Sequence, residues 1–175
     1  MTLKTLSAVG RRQARSAIRE PRSAVILAAL PHWLPLVALR LALAIPFLKS
    51  GLTKWDGFLH LSSGARYLFE QEFRLHLFGA LVPYPFPTVT ATAAALAEII
   101  LPLLLIFGLG TRIAALGILA MTAVIQLTVP EGWANFHLPW AAMSLTLIVF
   151  GGGGLSLDRL LFGRPMSATS GAAPD

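Results

Sequence analysis

Glu98 places a carboxylate inside a 22-residue apolar stretch, Pro87 to Gly108 (PTVTATAAALAEIILPLLLIFG). An ionised acid in hydrocarbon costs on the order of 2.5–3.5 kcal/mol on insertion scales, so a chain that keeps one either pairs it or uses it. Arg40 is the matching cation in the preceding apolar stretch. It lies roughly 10 Å into its helix at 1.5 Å per residue, and Glu98 roughly 15 Å into its own from the same side. The arginine arm covers that offset, so a bidentate guanidinium–carboxylate contact is expected between Arg40 and Glu98. Such a pair either locks two helices or holds a proton acceptor in a dry site.

A second set of polar groups gathers at the other end of these stretches. Lys49 and Lys54 flank the end of the first, with Trp55 and Asp56 beside them. Lys and Trp there anchor a helix at the headgroups, or the two lysines form a cationic lip for an anionic substrate. His60, His76 and His137 fall on the same side, and imidazoles are metal ligands. No pair has the tight spacing of a local metal motif and no soft ligand clusters with them, so no metal is assigned. His137 followed by Trp140, near Trp133 and Asn135, reads with Lys49 and Lys54 as a polar mouth. No Walker A loop, GxSxG or HExxH occurs. The glycine run Gly151–Gly154 follows an apolar helix rather than a strand, which argues against phosphate binding.

The elements that position these residues are membrane spans. The chain of 175 residues is 55% hydrophobic and 13% charged, with mean hydropathy +0.70, against about 25% charged residues in soluble domains. It has no cysteine, which excludes disulfides, Cys-ligated metals and a thiol relay within this chain. The formal charge of +6 belongs largely to Lys4, Arg11, Arg12, Arg15, Arg19 and Arg22, ahead of the first span. Anionic lipid headgroups explain such a segment, and without a recognition motif nucleic acid is excluded.

Four spans are expected: Trp33–Gly51, Pro87–Gly108, Ile113–Val129 and His137–Gly153, each near the length that crosses the bilayer core. Pro46 and Pro102 should bend the first two. In the 35-residue connection Leu52–Phe86, the segment Ala65–Ala80 spaces Ala65, Leu68, Phe69, Phe73, His76, Leu77 and Ala80 as one face of an interfacial amphipathic helix. The fold class is thus an all-α membrane protein, a four-helix antiparallel bundle. It divides into a basic segment 1–23, a membrane domain 24–161 and a disordered tail 162–175. With the N-terminus inside, Arg112, Arg159 and Arg164 join the N-terminal basic residues in the cytoplasm, leaving Lys54, Arg66 and Arg74 outside. That bias places both termini in the cytoplasm.

The motifs now in view resemble those of the DoxX family: Arg40-Leu41-Ala42-Leu43 and Ser50-Gly51-Leu52-Thr53-Lys54 in the first span, Ala97-Glu98-Ile99 and Leu109-Gly110-Thr111-Arg112 around the second, and Leu155-Ser156-Leu157-Asp158 after the fourth. The likeness extends from about Leu34 to Leu161. It implies a four-helix bacterial inner-membrane protein, some of whose relatives are membrane subunits of sulfur-compound oxidation with quinone as acceptor. On that footing Glu98 is a proton acceptor beside a bound quinone, and His137 with Trp140 frames its headgroup. The function expected is a redox-linked membrane subunit that interacts with quinone and a protein partner, or with further copies of itself. The alternatives are a non-catalytic scaffold or assembly factor, and a small-solute permease.

Overall fold

A computed structural model describes Pro31 and residues 33–163. The basic segment 1–23 and residues 164–175 of the tail lie outside the described residues. Helix α1 spans Leu34–Leu52. A linker follows, containing β1 (Trp55–Gly57), β2 (His60–Leu61), the short α2 (Ser63–Tyr67), a π-helical turn (Leu68–Glu72), β3 (Arg74–Leu77) and β4 (Ala80–Pro83). Helices α3 (Pro87–Phe107) and α4 (Thr111–Thr128) come next. A second π-helical turn (Trp133–His137) leads into α5 (Leu138–Phe150), and α6 (Leu157–Phe162) closes the described chain.

Among the described residues three helices, α1, α3 and α4, are long and apolar enough to cross a membrane. Their ends follow local rules. Pro87 occupies the first turn of α3, where its missing N–H is no loss. Gly108 ends that helix at φ +68°, a left-handed conformation that only glycine adopts without strain. At 13 residues, α5 is about 20 Å long and shorter than the other three. It stops where the glycine run begins, with Gly151 at φ +73°. Helix α1 packs along α3 and α5, and α4 packs along the same two, so the four form a closed ring. Leu43, Ala44, Phe47, Leu105, Ala114, Ala115, Ile118 and Leu147 fill its centre. Outward faces stay apolar and exposed, as at Ile113 and Leu116, which suits lipid rather than water.

The linker departs from the sequence expectation. In place of one helix over Ala65–Ala80, α2 and the π-turn end at Glu72, and the rest forms an antiparallel ribbon pairing Arg74 with Pro83 and Leu77 with Ala80. Phe78 and Gly79 both take positive φ, +50° and +85°, which is the backbone a two-residue hairpin turn requires. The chain is therefore mainly helical rather than all-α. The linker is pinned to the bundle by Thr88, which donates to Glu70 at 3.1 Å. His76 Nδ1 meets the Leu127 carbonyl at 3.0 Å, and the Tyr84 and Thr128 hydroxyls bond each other. A second apolar cluster, Leu61, Ala65, Phe69, Tyr84, Ala91 and Ala95, seats the linker against the first half of α3.

Candidate functional site

Arg40 and Glu98 are both buried, at 4% and 6% exposure, yet they do not meet. Glu98 pairs with Lys54, and this is the single ion pair among the described residues. The reason is helix register. Arg40 stands opposite Ile106, whose carbonyl it reaches at 3.0 Å, whereas Glu98 stands opposite Gly51. The expected pair assumed that the two helices end flush, but α1 overshoots the end of α3 by about six residues, roughly 9 Å. Lys54, assigned only to the rim, is the counter-ion.

Glu98 is held closely. A Cβ on Gly51 would come within 2.9 Å of the Glu98 Cβ and carbonyl, so a larger residue there would force α1 and α3 apart. Pro102 lies four residues on and has no N–H to give the Glu98 carbonyl, which is thereby freed from the helical ladder on the side of this contact. Lys54 is fixed in turn by Ser50, whose Oγ it reaches at 2.9 Å. The side chains of Lys54 and Glu98 are 14% and 8% exposed.

This pair forms part of the wall of a cavity of about 730 Å³. The end of α1 contributes Ser50 and Thr53, the linker contributes Phe69, Phe73 and Tyr84, and α3 contributes Thr90 and Ala94. Helix α4 lines the far side from Gly117 to Thr128, Val129 follows at its end, and Trp140 reaches in from α5. A large, mainly apolar space with one convergent charged pair is the usual form of a small-molecule site. Lys54 supplies N–H donors and Glu98 an acceptor, so the wall can both give and take a hydrogen bond.

Of the expected polar mouth, Lys54 and Trp140 line this cavity, while Lys49 is exposed elsewhere on α1. His137 is buried behind Trp140, with ring centroids 5.6 Å apart, and its Nδ1 lies 2.6 Å from Gln126 Oε1. Trp140 also packs on Phe47 at 4.8 Å, which fixes the indole plane at the cavity wall. His60 and His76 sit on different ribbons, apart from His137.

The other end of the bundle uses charge differently. Arg40 donates to the carbonyls of Gly152 at 2.8 Å, Leu155 at 2.7 Å and Ile106 at 3.0 Å. Ile106 lies in the last turn of α3, where the helix dipole is negative, while Gly152 and Leu155 lie in the loop after α5. Asp158 accepts from the amides of Gly110 at 2.6 Å and Thr111 at 2.9 Å, so it caps the positive start of α4. Burial pushes the Asp158 carboxyl pKa up, but the Thr111 and Gly110 hydrogen bonds and the nearby Arg40 charge outweigh that and hold it below the ordinary 3.8. Asp158 is a participant that sequence reasoning did not place; its signal was the Leu155–Asp158 motif beside a glycine-capped helix start.

The family model for DoxX matches residues 35–131, more than half of the chain. That region contains Arg40, Lys54, Glu98 and most of the cavity wall, and the structure joins the later Asp158 to it through Gly110 and Thr111. No curated protein and no solved structure matches the chain. With its apolar helices and the match spanning α1 through α4, this membrane protein belongs to the DoxX family.

Proposed function

We propose that the protein is a redox-linked membrane subunit that binds a quinone headgroup in the cavity beside Lys54 and Glu98. The observation carrying this reading is the buried Lys54–Glu98 ion pair, the single one among the described residues, set in a mainly apolar wall. A quinone has an apolar ring and two carbonyl acceptors, and when bound it supplies reversible two-electron, two-proton chemistry. The residues fit such a molecule: the Lys54 ammonium donates to a carbonyl, Glu98 takes or holds a proton next to it, and Phe69, Tyr84 and Trp140 offer faces for a planar ring. With no cysteine the chain cannot run thiol–disulfide exchange itself, and in this reading a partner delivers the electrons. Phe58 and Phe78, fully exposed at the two hairpin tips, are apolar surface of the kind such a contact uses.

In this reading α5, extended by the turn Trp133–His137, makes a fourth crossing. The excess of Arg and Lys at the Arg40 end then puts both termini in the cytoplasm of a bacterial cell and the cavity toward the outer face. The test is binding of a ubiquinone analogue to the purified protein in detergent. Glu98→Gln should weaken binding at least tenfold, about 1.4 kcal/mol, while expression and thermal midpoint stay close to wild type. Unchanged affinity in that variant would refute the site.

A further inference from the structure

We infer that the Arg40 end of the bundle carries a second binding site, shaped for the phosphodiester headgroup of an anionic phospholipid. A groove of about 750 Å³ lies there, with Val37, Arg40, Leu41, Phe107, Leu155 and Arg159 among its lining residues. Arg40 is buried within it, and its Nε has no hydrogen-bond acceptor. Arg159 stands at the exposed side and forms no ion pair among the described residues. Gly154 leaves space for it: a Cβ there would come within 3.2 Å of an Arg159 terminal nitrogen.

Among the described residues, charge at this end is unbalanced: Arg40, Arg112 and Arg159 stand near one acid, Asp158, whose two oxygens accept from the amides of Gly110 and Thr111. The local field therefore favours an anion. The flanks are apolar and open, with Leu41 39%, Phe107 58% and Leu160 77% exposed. A soluble anion would satisfy the arginines and leave those flanks bare, whereas a phospholipid brings a phosphate and acyl chains together. Basic pockets between membrane helices recognise anionic lipid headgroups by this combination.

The test reconstitutes the full chain in phosphatidylcholine vesicles with or without phosphatidylglycerol, and reads both thermal midpoint and lipid retained in native mass spectrometry. Phosphatidylglycerol should raise the wild-type midpoint and remain bound. Arg159→Gln should lose most of that gain and reduce retention severalfold. Arg112→Gln removes the same charge outside the groove and should keep the gain. Equal losses in the two variants would reduce the effect to diffuse charge and overturn the site. So would reproduction of the effect by soluble glycerol phosphate in phosphatidylcholine alone.

Discussion

At one end of the bundle, Arg40 and Asp158 spend their charge on backbone groups: one binds three carbonyls, the other two amides. At the other end, Lys54 and Glu98 bind each other at the wall of a cavity. The first arrangement ties four chain segments together and leaves Arg40 little to offer a ligand beyond its charge and Nε. The second ties only α3 to the end of α1, and leaves polar valences facing open space. Burial of a charge is thus a poor guide to its role, and the identity of its partners is a better one.

The comparison predicts a graded series of effects. Arg40→Met should be the most damaging, lowering stability by about 3–5 kcal/mol because it strands three carbonyls, the Gly152 one buried and the other two partly so, as read by thermal unfolding in detergent. A near-wild-type midpoint would mean that this end is not the structural one. Gly108→Ala comes next: φ is +68° and its Cβ would lie 2.8 Å from an Arg40 terminal nitrogen, so a loss of about 1–3 kcal/mol is expected. Lys54→Met should weaken quinone-analogue binding about as much as Glu98→Gln, and the double variant should be little worse than either, because the two act as a unit. Additive losses would separate them. The smallest effect is on acid stability. The Asp158 pKa is depressed in the folded state, so its contribution is complete above the ordinary value of 3.8 and fades as pH falls through the depressed one. Asp158→Asn should flatten that acid limb of the unfolding midpoint.

How much of this could be read from the chain varied with the kind of information required. The limits of α1, α3 and α4 follow from apolar runs bounded by Pro, Gly and charge, and the sequence reading comes within two residues of them. The partner of Glu98 did not follow, because pairing between antiparallel helices depends on their axial offset, which no single helix encodes. The ribbon β3–β4 was missed because Ala65, Leu68, Phe69 and Phe73 start a helical period that the real helix abandons at Glu72. Past that point Leu75 and Leu77 alternate instead, and of the two turn residues only Gly79 favours the turn, so the hairpin carried a weak signal.

The register of α1 against α3 also sets a distance across the bilayer. Arg40 and Gly51, the residue facing Glu98, are separated by eleven positions, about 17 Å along the helix, whereas the hydrocarbon core is ~30 Å thick. Both charged layers therefore fall within the thickness of a single bilayer, and the surrounding protein must keep them from the acyl chains. Short-chain lipids would bring the headgroups closer to the Lys54–Glu98 layer and hydrate it, while long-chain lipids would keep it dry. Acyl-chain length thus becomes a physical control on how wet the cavity is.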